Sequence, residues 1–184
     1  MGWLALGVLL ALVLFWAVGA YNRLMRLRAE VLRQWATVDT VWLKWLMRFQ
    51  GAVSARQILA WASEADDLHA LQEGSDALIE ALAEVRQQSL DETSLQKLLQ
   101  RHEALMDCID VVALRVPETV RPHLLSAQAK ILQNIPLALV SYHAAVQAYN
   151  LALAQAPVRW LAQGLRLRQA LPLKWPTRNS RGTI

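Results

Sequence analysis

GWLALGVLLALVLFWAVGAY, residues Gly2–Tyr21, runs without a charged side chain straight into YNRLMRLRAEVLRQWATVDTVWLKWL, residues Tyr21–Leu46. About 20 residues of helix, rising about 1.5 Å each, cover the roughly 30 Å of bilayer hydrocarbon. The second stretch sets Leu24, Leu27, Val31, Trp35, Val38, Trp42 and Trp45 at steps of three and four, and Phe49 continues the series. That spacing is one face of a helix, with Arg23, Arg26, Glu30, Arg33 and Lys44 supplying the polar face. An apolar rod that becomes an amphipathic rod predicts an N-terminal transmembrane helix continuous with a helical domain.

The positive charges Arg23, Arg26, Arg28 and Arg33 follow the apolar run, and no Lys or Arg precedes it. Val18 and Ala20 offer a small-residue cleavage pattern, as in a signal peptide, but the missing basic leader favours an uncleaved anchor. The positive-inside rule then puts the N-terminus outside and the C-terminal domain in the cytoplasm, a single-pass protein of the inner (cytoplasmic) membrane. Trp3 and Trp16 stand near the two ends of the span, where interfacial indoles are common.

Among 184 residues there are only 7 Gly and 6 Pro, and β-branched residues do not cluster in alternation, so the composition favours helices. The single cysteine, Cys108, excludes an internal disulfide and sits in an apolar-periodic run, where an inert buried thiol is expected. The net charge of +4 hides a segregation. Residues 51–120 carry thirteen acids against five bases, and after Glu118 eight bases stand with no acid at all. The acidic stretch from Glu64 to Glu92 reads as solvated surface.

Three further helices follow. The second is expected from Ser54 to Gln88, with Ile58, Trp61, Ala65, Leu68, Leu71, Leu78, Leu82 and Val85 inward and Gly74-Ser75 as a weak spot. Ser89 to Glu92 fits a capping box opening the third helix, which carries Leu95, Leu98, Leu99, Leu105, Ile109, Val112 and Val116 up to Pro117. Pro122 suits the first turn of the fourth, whose stripe is Leu124, Leu125, Ile131, Leu132, Ile135, Leu139, Tyr142, Val146, Tyr149 and Leu153. Pro136 lies inside it and predicts a kink rather than a break, since the apolar spacing keeps register on both sides. Long amphipathic helices with short connections predict an all-α fold with an antiparallel (up-down-up-down) four-helix bundle. The expected division is an anchor over 1–21, the bundle over 22–156 and a basic tail over 157–184. The fourth helix then returns to the membrane, and the tail, helical from Val158 to Ala170, brings Arg159, Trp160, Arg166 and Arg168 to the bilayer surface or to a neighbouring subunit.

Tyr21-Asn22, Leu24, Leu27-Arg28, Val31, Trp35, Asp39, Leu43 and Lys44 resemble the first soluble segment of the LemA family. Tyr142 to Leu165, with Val146, Tyr149-Asn150 and a proline breaker, is similar to that family's late Tyr-rich segment, and QALPLKW to its apolar close. The chain departs from the family at WLMRFQGAV and at Tyr142-His143, as a divergent member. The resemblance implies a membrane-anchored helical bundle without enzymatic activity, associated with a membrane zinc metalloprotease of the HtpX type and with membrane-protein quality control. Tyr21-Asn22 and Tyr149-Asn150 fall at similar height in the expected bundle, where they either brace two helices by side-chain hydrogen bonds or simply pack.

Catalytic motifs are missing. His102-Glu103 opens like a zinc-protease helix, but Met106 takes the place of the second histidine. Asp66 and His69 form half of a carboxylate-x-x-His pattern with no second half. A metal-dependent bundle enzyme therefore stands only as an alternative, and a membrane-stress sensor hinged at Pro136 as another. No cofactor is expected, and the basic residues, mixed with Leu and Trp beside an anchor, suit lipid headgroups rather than nucleic acid. The expected role is a scaffold or adaptor, homo-oligomeric because Trp35, Trp42 and Trp45 exceed what one seam buries. Its contact residues are Tyr21, Asn22, Arg23, Arg28, Trp35, Trp42, Tyr149, Asn150, Arg159, Trp160, Arg166 and Arg168.

Overall fold

Before Pro117 the sequence contains no proline, so nothing in that stretch denies the backbone an α-helical hydrogen bond. The structure, a computed structural model, describes residues 2–54, 65–87, 91–119 and 121–175. Five helices account for most of them: α1 Gly2–Ser54, α2 Ala65–Gln87, α3 Glu92–Arg115, α4 Arg121–Ala154 and α5 Val158–Gly164. Among the described residues there is no strand. Of these helices α1 is long and apolar enough to cross a membrane, and none of its apolar window is buried.

The chain divides into two compact units, Met1–Ala36 with Ser141–Pro172 and Thr37–Val140 with Leu173–Ile184. In the second unit the core is built from the stripes the sequence marks: Val38, Trp42 and Trp45 of α1, Leu71, Leu78, Leu82 and Val85 of α2, Leu98, Leu105 and Ile109 of α3, and Ile131, Ile135 and Leu139 of α4, joined by Leu46 of α1, which the expected stripe omits. Polar pairs join neighbouring helices around it. Asp39 meets Arg86 at 3.2 Å and Gln50 donates to Asp76 at 2.8 Å, linking α1 to α2. Asp67 meets Arg115 at 2.9 Å and Glu84 meets Lys97 at 2.5 Å, linking α2 to α3. Gln128 of α4 donates to Asp110 at 2.6 Å and to the Met106 carbonyl at 3.2 Å, and Trp45 donates its indole N–H to the Ala127 carbonyl at 2.7 Å.

Several expectations are corrected. Ser54 ends α1 rather than starting a second helix, and Ile58 and Trp61 lie outside the described residues. Gly74 and Ser75 do not weaken α2. Ser75 returns its hydroxyl to the Leu71 carbonyl at 2.7 Å, and Gly74 lets Leu105 approach until its Cδ1 lies 3.1 Å from where a Cβ would stand. Helix α3 is capped by Asp91, which accepts from the Thr93 amide at 3.2 Å and from the Thr93 hydroxyl, while Ser89 lies outside the described residues. A carboxylate at the N-cap satisfies a free N–H and suits the positive end of the helix dipole. Val116, extended ahead of Pro117, closes α3 as expected. The single helix α4 continues through Pro136, and Leu125 of its expected stripe is exposed. The acidic stretch is not all solvated surface, because Asp67 is buried and Glu84 half-buried against their basic partners.

Burial pushes the Asp39 carboxyl above its usual range, against the pull of Arg86. With its folded pKa raised, Asp39 favours the fold most below the ordinary carboxylate range and loses that contribution as pH rises through the folded value. Asp39→Asn should therefore gain stability over the parent at pH 7, the gain vanishing in acid. Arg86→Ala should lose roughly 1–2 kcal/mol at pH 7, since the half-exposed guanidinium is screened but its loss strands a buried carboxylate. Urea unfolding in a mild detergent, run at both pH values, checks the pair. Gly74→Val, which crowds the buried Leu105, should cost roughly 1–3 kcal/mol in the same assay.

Candidate membrane-proximal site

The first unit gathers an unusual charge. It holds Arg23, Arg26, Arg28, Arg33, Arg159, Arg166 and Arg168 against one acid, Glu30. Glu30 is held by Arg33 at 2.6 Å and by Gln34 at 2.6 Å, contacts that lower its pKa and raise that of Arg33. Up to Arg23 no described residue of α1 is buried; Leu24 is the first. The apolar-to-charged transition and the exposed-to-buried transition thus coincide within two residues.

Tyr142 of α4 lies edge-on to Trp35 of α1, ring centroids 5.4 Å apart. Tyr149, two turns further along α4, is buried near Arg28, and burial raises its phenol pKa while the Arg28 charge opposes the rise. A cis Ala156–Pro157 peptide follows α4, and α5 is then only seven residues long, not the longer helix expected to Ala170. Its end is closed by two hydrogen bonds, Arg166 N–H to the Gln163 carbonyl at 3.1 Å and Leu167 N–H to the Ala162 carbonyl at 3.0 Å. That double closure needs a left-handed residue between the two donors' helix and the next segment, a place usually given to glycine. Here Arg166 adopts it, with φ 53°. Trp160 is 69 % exposed, and Arg159, Arg166 and Arg168 are exposed around it.

After the turn the chain is extended and returns to its own helices instead of lying free. The Asn150 carboxamide accepts from Ala170 N–H at 2.9 Å and donates to the Ala170 carbonyl at 2.8 Å. The Tyr142 hydroxyl donates to the Leu171 carbonyl at 2.6 Å. In the second unit Leu173 is buried, and the Trp175 ring lies 5.9 Å from Trp42 and 4.8 Å from His102, while Trp42 Nε1 makes a long 3.5 Å contact to His102 Nδ1.

The expected contact residues therefore separate. Tyr21, Asn22, Arg23, Arg28, Arg159, Trp160, Arg166 and Arg168 are exposed. Trp35, Trp42 and Trp45 are 4 %, 0 % and 8 % exposed, so the surplus of indoles expected to drive self-association is absent: these rings fill the chain's own interior. Asn150 does not brace Asn22; both ends of its amide are taken by Ala170, and Tyr149 is buried. Sequence reasoning missed the tail clip and the Trp42–His102–Trp175 group. The available signal was Asn150 in the half of α4 that carries no Asp, Glu, Lys or Arg, where an amide has to find a partner. Asp66 and His69 are both exposed, and among the described residues no three His, Cys, Asp or Glu side chains converge. Cys108 is half-buried, its thiol pKa raised by burial and then by the charge of Asp67. Compared with models of known protein families, with characterised proteins and with solved structures, the chain matches none.

Burial pushes the Tyr142 phenol up to about 12. An unfolded tyrosine titrates near about 10. The neutral phenol's contribution to stability is thus complete below that value and is lost as pH rises through 12. Tyr142→Phe should be less stable by roughly 1 kcal/mol at neutral pH. The gap from the parent should narrow between pH 10 and 12, read by unfolding curves at each pH.

Proposed function

We propose that this protein is a membrane-tethered, non-catalytic helical scaffold of the LemA type, held at the cytoplasmic face of the inner membrane by α1. The observation that carries the reading is the unburied, uncharged opening of α1 in the same unit as seven arginines and one glutamate. An anionic leaflet attracts such a cluster by about 1 kcal/mol for each basic residue close to the lipid. Arg166 in a left-handed conformation supports the reading as well, because a long charged side chain is kept where glycine is cheaper.

The same reading gives the helices of the second unit an up-down-up-down, antiparallel four-helix arrangement. Its support is in the residue pairs: Asp39 with Arg86 and Gln50 with Asp76, then Asp67 with Arg115 and Glu84 with Lys97, each rising on one helix as it falls on the next. In the first unit Trp35 with Tyr142 and Arg28 near Tyr149 follow the same rule, which carries the end of α4 toward the start of the charged segment. The LemA-like reading brings with it a membrane zinc metalloprotease of the HtpX type as partner and a role in membrane-protein quality control. Self-association, without the tryptophans to drive it, is left to exposed apolar side chains such as Leu114, Leu137 and Val140.

Orientation and anchoring are tested together. With Cys108 replaced by Ser, Gly2→Cys should react with an impermeant maleimide added outside intact cells and Gly164→Cys should not; the opposite pattern overturns the topology. The mature polypeptide should keep residues 1–20 by intact mass, and Leu10→Arg, costing about 2.5–3.5 kcal/mol at mid-membrane, should shift the chain out of the membrane fraction. Crosslinking in intact membranes that captures no protease of that class removes the proposed partner.

A further inference from the structure

Helix α5 is planted on one side and open on the other. Ala162 is buried and Leu161 half-buried, whereas Trp160, Gln163 and Gly164, which share the opposite face, are exposed. Leu165 is exposed just after the helix, and Arg159, Arg166 and Arg168 are exposed around it. Among the described residues these three arginines enter no ion pair, and Glu30, the one acid of the first unit, is held by Arg33. Uncompensated guanidinium groups beside an exposed indole and leucine suit a bilayer interface, where phosphates take the charge and the headgroup layer takes the apolar groups. Glycine at 166 would close the turn with less strain, so what arginine adds at φ 53° is its side chain.

Register within the first unit sets the level of this surface. Tyr142 stands at Trp35, and Tyr149, two turns on along α4, is near Arg28, two turns back along α1. Carried on at the same rate, the antiparallel course brings Ala154, where α4 ends, level with Arg23, the first charge of α1. Helix α5 opens at Val158, so its open face falls beside the end of the uncharged run. We propose that this face and the turn after it bind the headgroups of anionic phospholipids. Trp160 and Leu165 enter the interface, while Arg159, Arg166 and Arg168 meet the phosphates. The proposal rests on the membrane-tethered reading and adds to it a ligand and a second point of attachment beside α1.

The test uses the full chain in lipid nanodiscs of phosphatidylcholine, or of an equimolar mixture with phosphatidylglycerol. Gln163→Cys, with Cys108 replaced by Ser, carries an NBD fluorophore on the open face of α5 and leaves Trp160 in place. NBD is dim in water and bright in the headgroup layer, so the mixed discs should give at least about two-fold more emission than phosphatidylcholine discs. High salt should remove that difference, because it screens exposed charge. Trp160→Ala and Arg166→Gly should each lower the emission in mixed discs. Arg166→Gly should nevertheless resist urea at least as well as the parent, which separates lost lipid contact from lost fold. Equal emission in the two kinds of disc, from chains that co-elute with them, overturns the proposal and leaves the membrane-spanning helix standing. So does a labelled chain indifferent to both substitutions. Chains that stay out of the discs overturn the membrane reading, and the proposal with it.

Discussion

The helix α1 opens as a run long and apolar enough to cross a membrane, with none of its apolar window buried, and the contrast between that opening and its amphipathic continuation organises the rest of the chain. Through Arg23 the side chains of α1 are exposed or half-exposed, while from Leu24 onward one face closes into protein. The backbone can serve both environments because a helix satisfies its own N–H and C=O groups wherever it lies. Only the side chains change character. The first charge and the first buried leucine therefore arrive together, and every acid but Glu30 belongs to the second unit.

Within that second unit apolar burial supplies most of the stabilisation but little discrimination, since leucines on neighbouring stripes are nearly interchangeable. Choice of partner and register is instead marked by a small number of polar groups whose alternatives are costly. The buried Asp39 meets the half-exposed Arg86, Gln128 divides its amide between Asp110 and the Met106 carbonyl, and Trp45 reaches the Ala127 carbonyl. Sliding any of these by a turn leaves a donor or acceptor dry. Gly74 adds a steric mark of the same kind, a notch that fits Leu105 and no larger approach.

Periodicity made the helices legible, because a 3.6-residue stripe is a property of neighbours along the chain. It located Trp35, Trp42, Leu78, Leu105 and Tyr142 as inward residues, and proline placed the ends of α3 and α4. It misjudged how many indoles one interior accepts: Trp45 turns its N–H to a carbonyl, and Trp42 is covered by Trp175 from the far end of the sequence. The tail was read as an amphipathic helix because its Leu and Arg spacing permits one. Arg166 at positive φ ends that helix early, and nothing local announces a left-handed arginine. The clip by Asn150 and Tyr142 is a contact over about twenty to thirty residues of separation, beyond the reach of any pattern in a short window.

Because Asn150 and Tyr142 grip only the peptide backbone, the identities of the residues they grip are loosely constrained over evolutionary time. Positions 170 and 171 can drift among small and aliphatic types while the two gripping side chains cannot, and proline at 170 is the exclusion. Among descendants of this sequence the tail should diversify faster than the helix that holds it, and substitutions there should leave the architecture untouched.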